Sequence, residues 1–374
     1  MKKTKVLHII KSLGRGGAEM LLPETLKLHD PDKFEFHYLY FLPWKNQLVE
    51  DIEKNGGKVT CIPAKNNLQL LAQYPKVVRY CNENQIDIIH SHLPWAGFVA
   101  RLVHKKTGIP VIYTEHNLQE RYHFVTKFLN RFTYNWQSLA LGVSKDVTAS
   151  IIRNLHPRIP VKTLLNGINT DKFTPDPSEG LEWRKKYDIP ADAVVIGNVA
   201  VFRFQKRLKE WLDIMKKLTD KYPQVYGLLV GAGPLEDEIK THLKKLNLQN
   251  RVILPGLQTE VRPFFNAMDI FMMSSEFEGL PIALLEAMSM ECAIVSTDAG
   301  GIKEVIEHRK DGLLCPVEKW EELEKHCSFL IENPSELEKY QRQARIKVKK
   351  DFSLQKMVDE LENIYQHKSL TNEN

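Results

Sequence analysis

Between Ser274 and Gly301 the chain reads S-S-E-F-E-G-L-P-I-A-L-L-E-A-M-S-M-E-C-A-I-V-S-T-D-A-G-G. Few folds accommodate that order. An apolar run, Asp269 to Met273, precedes it and reads as a buried strand. Two acids, Glu276 and Glu278, and a glycine come next, and Pro281 stands where a first helical residue would. A short apolar helix is expected from Ile282 to Met290, then a strand from Ala293 to Thr297, and Gly300-Gly301 opens another helix. Both turns should therefore lie at the carboxyl edge of one parallel sheet, where open α/β folds hold ligands.

Glu278 and Glu286 are the pair to weigh. If the helix starts near Leu280, Glu278 sits in the turn and Glu286 roughly 9 Å further along the axis. The helix N-terminus between them offers unpaired N–H groups and the positive end of the dipole, which suits a phosphate. A ligand with hydroxyls at both ends and a diphosphate between them, a nucleotide sugar, would match. Any isolated pair of acids at this spacing is more often a solvated face, so the surrounding residues must decide.

E-G-L-P-I-A-L-L-E-A-M, with the apolar strand and A-G-G-I-K-E after it, resembles the signature of retaining glycosyltransferases of family 4 (glycosyl transferases group 1). The resemblance implies an α/β protein of GT-B fold: two Rossmann-like, doubly wound parallel-sheet domains facing across a cleft. It also implies that Glu278 contacts the transferred sugar and that Glu286 holds the nucleotide ribose. An acceptor-side domain is expected over residues 1–170 with the closing helix, 352–374, crossing back onto it. A donor-binding domain is expected over 171–351.

At 374 residues the chain has room for two domains, and 43% hydrophobic with 26% charged residues describes a globular protein. A net charge of +5 favours anionic ligands or lipid but is too small to argue for nucleic acid. The five cysteines are scattered with no C-x-x-C, which argues against a zinc or disulfide framework and for a reducing cytosol. The opening M-K-K-T-K-V-L-H-I-I-K-S is too short in apolar residues for a signal peptide, and no run approaches the length needed to cross a bilayer. The expected location is the cytoplasm, with a peripheral position on the inner face of the plasma membrane as an option. Ser369 to Asn374 reads as a disordered tail.

Strands are expected at Lys5–Ile10, Phe36–Leu42, Val59–Ile62, Ile86–His90, Val111–Thr114, Leu139–Ser144 and Val161–Leu165, mostly separated by helix-length segments. S-L-G-R-G-G-A-E after the first strand opens a helix from about Ala18 to His29, but its spacing is not the dinucleotide G-x-G-x-x-G. By resemblance, Gly16 and Gly17 lie near the donor diphosphate and the acceptor; Glu19 alternatively only supports its own helix turn. I-I-H-S-H-L places His90 and His92 on one side of an extended chain. They read first as hydrogen-bonded structural imidazoles, because zinc needs a third ligand that the sequence does not nominate. His116, in Y-T-E-H-N, matches the family histidine that reaches the donor sugar and the reaction centre, a catalytic place. Arg121 to Trp136 has Phe124, Phe128, Phe132 and Trp136 four apart, with Arg121, Lys127 and Arg131 interleaved. Such a stripe is read first as core packing against the sheet, with a basic-aromatic contact to an anionic membrane as the alternative.

T-P-D-P-S-E-G, after L-L-N-G-I-N-T-D-K-F, is the best linker candidate. Asn169 stands where the family pattern has Asp. A second strand series follows at Val194–Val199, Tyr226–Val230, Arg251–Leu254, Ile270–Met273 and Ala293–Ser296. In N-V-A-V-F-R-F-Q-K-R-L-K, Lys206 aligns with the family lysine that neutralises the diphosphate, and Val201 occupies the usual arginine position. Arg203 is the expected substitute, with Arg207 the other option; a cation placed there can lower the barrier to a dianionic leaving group. The turn V-G-A-G-P is similar to the family's turn at the nucleotide side. The backbone around Val261 is expected at the base, and Gly300, Gly301 and Glu304 near phosphate or sugar, although Glu304 also suits a plain helix cap.

The resemblance thus implies an enzyme, a hexosyltransferase-type retaining glycosyltransferase of bacterial surface polysaccharide synthesis. It would move a sugar from a nucleotide-diphosphate donor, a UDP-sugar first, to a glycan or lipid-linked acceptor. Neither a cofactor nor a metal is implied, in line with the lack of a D-x-D pair in a suitable turn. Two alternatives stay open: a catalytically silent nucleotide-sugar-binding partner, which Val201 makes thinkable, and a sugar-nucleotide epimerase on the same fold.

Overall fold

Seven strands in the first half of the chain all pair in parallel: β1 (Thr4–Ile9), β2 (Phe34–Tyr40), β3 (Lys58–Cys61), β4 (Ile88–His92), β5 (Val111–Glu115), β6 (Leu139–Gly142) and β7 (Val161–Thr163). Their order is β3-β2-β1-β4-β5-β6-β7. The second half adds a parallel sheet of β8 (Val194–Val199), β9 (Val225–Val230), β10 (Val252–Gly256), β11 (Ile270–Met273), β12 (Ala293–Thr297) and β13 (Leu313–Cys315), ordered β10-β9-β8-β11-β12-β13. In each sheet the strand order reverses once, between β1 and β4 and between β8 and β11. The turns that follow those strands open at the carboxyl edge, where doubly wound sheets bind ligands. The computed structural model describes residues 2–366, so His367 and the tail 369–374 lie outside the described residues.

The chain divides into two compact units, one running to Asn166 and resuming at Leu354, the other spanning Gly167–Ser353. In the first, β1 alternates faces with a period of two. Val6 and Ile10 join one core, Leu7 and Ile9 the other, because a parallel sheet is covered on both sides. The closing helix, Leu354–Gln366, lays Leu361, Ile364 and Tyr365 on the face that carries Phe34, Phe36 and Tyr38. Its Glu362 accepts from the N–H of Asp30 at 2.8 Å and pairs with His29 Nδ1 at 3.0 Å. In the second unit the helix Leu208–Lys221 buries Leu208, Trp211, Leu212, Met215 and Leu218, an i, i+3, i+4, i+7 stripe. Each such side chain contributes about 1.5–3 kcal/mol. Trp211 is fully buried, yet its indole N–H donates to the Met272 carbonyl of β11 at 3.1 Å.

Several expectations shift. Strand β4 runs two residues further than expected, to His92, so His90 and His92 both lie inside it, with rings stacked 4.3 Å apart. The three-residue β13 was not foreseen from Leu-Leu-Cys. Pro281 is the N-cap of the helix Ile282–Ser289 and not its first residue. Thr174–Gly180 is not a linker between the units: it lies within the second unit, where Thr174–Asp176 lead into the helix Pro177–Lys186. Asp176 caps Pro177–Lys186 by accepting from the N–H groups of Ser178 (3.0 Å) and Glu179 (3.3 Å). Asn169 keeps the acceptor role expected of Asp, taking N–H groups from Asp171 at 3.2 Å and Lys172 at 3.0 Å.

The Phe stripe is the largest correction. The helix Phe124–Thr133 buries Thr126 and Asn130, while Phe124 is 71%, Phe128 59% and Phe132 62% exposed. Its inner face is polar because Arg101, buried in the neighbouring helix Pro94–Thr107, needs acceptors. Asn130 Oδ1 takes Nη1 at 2.9 Å and Thr133 Oγ1 at 3.0 Å. Trp136 falls beyond the helix end, with the Lys105 ammonium 5.5 Å from its ring centroid.

Candidate active site

In the second unit the turns after β8, β11 and β12 are tied together by short polar contacts. The β8 turn begins at Ala200 and Phe202, where the glycine-rich turn after β9 presses against it. Phe202 donates its N–H to the Ala232 carbonyl at 2.9 Å, and a Cβ on Gly231 (φ +131°) would stand 1.9 Å from the Ala200 carbonyl oxygen. Only glycine permits that approach. The β8 turn then coils through Phe204–Lys206 and passes Arg207 in a left-handed conformation, φ 47°, before the next helix.

Ser274 and Ser275, buried at the end of β11, hold this turn in place. Ser274 Oγ donates to the carbonyls of Lys206 (2.9 Å) and Arg207 (2.8 Å), and the Glu276 N–H donates to the Gln205 carbonyl at 2.7 Å. Lys206 Nζ reaches Glu278 Oε1 at 2.5 Å, and Ser275 Oγ donates to the same oxygen at 2.7 Å. The two charged side chains are 18% and 11% exposed, so their pairing is screened far less than at a surface. From β12, Thr297 Oγ1 donates to the Ser275 carbonyl at 2.6 Å and the Gly301 N–H to the Gly279 carbonyl at 2.9 Å. Gly300, φ +56°, passes so close that a Cβ would lie 2.0 Å from the Glu278 carbonyl oxygen.

The structure thus brings Lys206, Glu278, Gly300 and Gly301 together. Glu286 is half-buried, five residues into the helix Ile282–Ser289, whose N-terminus has no side-chain cap. Glu304 is half-buried near the end of the four-residue helix Ile302–Val305. The N-cap of that helix is Gly301, which offers no side chain of its own. Val261 is the N-cap of Arg262–Asn266, its carbonyl accepting from Phe264 (3.1 Å) and Phe265 (3.2 Å). The two candidate arginines differ. Arg207 is engaged, its Nη1 donating to the Val317 carbonyl at 2.8 Å and its Nη2 3.9 Å from Glu276. Arg203 is exposed in the turn itself.

In the first unit, Gly16 is the N-cap of the helix Gly17–Leu26, and a Cβ on it would meet the Glu19 carboxylate at 2.3 Å. Glu19 in turn accepts from Ser12 Oγ at 3.3 Å, closing the turn after β1. His116 follows β5 and is positioned through Glu115. That buried carboxylate accepts from the N–H groups of His116 (3.0 Å) and Asn117 (3.2 Å), from Tyr113 Oη (2.9 Å) and from Tyr122 Oη (2.5 Å). Burial nonetheless pushes its pKa upward against those donors. The His116 Nε2 atom is buried without a partner, and desolvation lowers its pKa to about 4. It is a neutral imidazole at neutral pH, with one nitrogen unused.

A third histidine joins the H-S-H pair, and sequence reading passed over it. His8 of β1 bonds to His92 Nε2 through Nδ1 at 2.9 Å; its place between Val6 and Ile10 on one face of the strand was the available signal. The side-chain nitrogens of His8, His90 and His92 lie within 4.8 Å of one another. That donor set does not suit a divalent ion as it stands. His90 already bonds Tyr365 Oη through Nδ1 (2.6 Å) and Thr114 Oγ1 through Nε2 (2.7 Å), and no carboxylate belongs to the cluster to offset the charge.

Comparison with known proteins matches both halves. Residues 16–172 fit the family model Glycosyltransferase Family 4, and residues 180–347 fit Glycosyl transferases group 1. The chain belongs to the GT-B glycosyltransferases. Relatives of this glycosyltransferase include the putative glycosyltransferase EpsF of Bacillus subtilis, 26% identical with 79% of each chain covered. Another is the UDP-Gal:alpha-D-GlcNAc-diphosphoundecaprenol alpha-1,3-galactosyltransferase of Escherichia coli, 22% identical over 80% of this chain and 81% of that one. Among solved structures, Anabaena HepE in complex with UDP-glucose superposes with TM-score 0.87 at 22% identity, covering 96% of this chain and 98% of its own. The glycosyltransferase of Rickettsia africae superposes with TM-score 0.84 at 20% identity, each chain covered completely. These structural likenesses establish the GT-B fold of this glycosyltransferase, and its two parallel sheets are the two Rossmann-like domains that fold requires.

Proposed function

We propose that this glycosyltransferase transfers a sugar, with retention of anomeric configuration, from a UDP-sugar to a hydroxyl of a glycan or lipid-linked acceptor in bacterial surface polysaccharide synthesis. The observation that carries the reading is the Lys206–Glu278 pair, set where the strand order of the second sheet reverses. There the ammonium stabilises charge developing on the departing diphosphate, and Glu278, steered by Lys206 and Ser275, orients the sugar. Arg203 adds the second cation. Glu286 takes the ribose, the backbone at Val261 the base, and the turn at Gly300 and Gly301 with Glu304 the phosphate or sugar. On the first unit, the backbone at Gly16 and Gly17 lies near the donor diphosphate and the acceptor, and the neutral His116 reaches the donor sugar at the reaction centre.

No cofactor or metal is invoked: the leaving phosphate oxygen is the base for the incoming hydroxyl, in a same-face substitution. Two relatives support the donor class, HepE with bound UDP-glucose and the E. coli enzyme named for UDP-Gal. The latter and a Campylobacter jejuni relative, 23% identical, are named for diphospho-undecaprenol acceptors, which supports a lipid-linked acceptor here. Among the described residues no helix is long and apolar enough to cross a membrane, and we place the enzyme in the cytoplasm with peripheral contact to the inner membrane face.

The test is a thermal-shift screen against UDP-, GDP-, ADP- and dTDP-sugars followed by product analysis. Stabilisation by a UDP-sugar and glycoside formation only when acceptor is added are expected. Altered sugar released from donor alone would replace transfer by epimerisation, and tight donor binding without turnover across an acceptor panel would make the chain a silent partner.

A further inference from the structure

The helix Phe124–Thr133 has its amphipathic order reversed for a protein in water. Asn130 and Thr133 face inward to Arg101, while Phe124, Phe128 and Phe132 stand in solvent, the last two with ring centroids 4.5 Å apart. Because Arg101 claims the polar face, rotating the helix to hide the rings would strand a buried guanidinium without its acceptors. The aromatic face is therefore locked outward.

Its charge is equally one-sided. Lys127 and Arg131 are exposed, and no Asp or Glu occurs between Glu120 and Asp146. The helix it packs against, Pro94–Thr107, adds Lys105 and Lys106 in its last turn. Exposed aromatic rings interleaved with Lys127 and Arg131, on a helix that carries no acid, fit a surface that is apolar beneath and anionic on top.

We propose that this helix is the membrane-docking surface of the enzyme, its three phenylalanines entering the acyl boundary while Lys127 and Arg131 meet anionic headgroups. The proposal deepens the peripheral-membrane part of the function proposed above and rests on it. The helix also follows closely on the turn that carries His116, which places a docked surface close in sequence to a residue assigned to the reaction centre.

Flotation of the full chain with vesicles tests it. The protein should rise with phosphatidylcholine–phosphatidylglycerol vesicles, remain below with phosphatidylcholine alone, and be released by salt. Each basic side chain near an anionic leaflet strengthens binding about five-fold, so Lys127→Glu with Arg131→Glu should weaken it by at least about 30-fold. Phe128→Ser with Phe132→Ser should also abolish it at an unchanged melting temperature. Wild-type protein left behind by anionic vesicles, or a charge-reversed variant floating undiminished, overturns the proposal. So does a dimer dispersed by the phenylalanine variant in a protein that binds no vesicle. Donor thermal shifts on the same variants should stay at wild-type values, so a failed docking surface is distinguishable from a failed transferase assignment.

Discussion

Lys206 and Glu278 meet at 2.5 Å although they lie 72 residues apart, one in the turn after β8 and the other in the turn after β11. The pair holds the ammonium in place, so on the proposed reading it needs little reorganisation when a diphosphate arrives. Lys206→Ala should then lower turnover about 100-fold or more, and it should also lower stability, because Glu278, 11% exposed, keeps the Ser275 hydroxyl but loses its cation. Measurement of nucleoside diphosphate release alongside the melting temperature checks this. An undiminished rate in a folded variant removes Lys206 from the site.

Gly300 is constrained twice, by its left-handed φ and by the Glu278 carbonyl. Gly300→Ala should cost about 3 kcal/mol, combining backbone strain with a clash that cannot be relieved by a side-chain rotation. It should also displace Glu278 and weaken donor binding. Gly256 has φ +77° with nothing within 4 Å of a Cβ, and Gly256→Ala there should cost only about 1 kcal/mol. Equal denaturation midpoints for the two variants would refute the close approach.

What could be read in advance was the part written locally. The strand-and-helix alternation, the acidic turn and the glycine turns each sit within a few residues, and their order alone implied two parallel sheets. Boundaries were less legible. Leu313–Cys315 is three residues long and becomes a strand only because β12 offers an edge. The pairing of Lys206 with Glu278, the clamp of Ser274 on the β8 turn, and His8 beside His92 depend on which strands become neighbours, which no local pattern records. The outward-facing phenylalanines were misread for a related reason. Helical spacing shows that Phe124, Phe128 and Phe132 share a face, but the direction of that face is set by Arg101, a residue from another helix.

Arg203 and Arg207 compete for the role vacated at Val201, and their surroundings separate them. Arg207 supports the fold by bonding the Val317 carbonyl, so Arg207→Ala should lower stability by about 1–2 kcal/mol. Exposed Arg203 supports nothing structural, so Arg203→Ala should leave the melting temperature unchanged and weaken donor binding roughly ten-fold through loss of one cation. Titration calorimetry with a UDP-sugar reads the difference. A donor affinity indifferent to Arg203 would return the role to Arg207 or to Lys206 alone.

The buried histidines make the first unit sensitive to acid. Burial lowers the pKa of His90 to about 3 and of His116 to about 4, and holds His8 and His92 well below the ordinary 6.5. In the unfolded chain all four protonate near 6.5. Between that pH and the folded values the unfolded state binds more protons, so stability rises with pH there. It is fully present above about pH 7 and is lost as pH falls toward 4, by up to about 1.4 kcal/mol per pH unit for each histidine. Hydrogen exchange of peptides covering β4 and β5, corrected for intrinsic rates, should show opening free energies several kcal/mol lower at pH 5 than at pH 7. His90→Gln should reduce that slope by about one proton. Opening energies that do not change over this range would mean the imidazoles are already charged in the folded protein, and the neutral state assigned to them would be wrong.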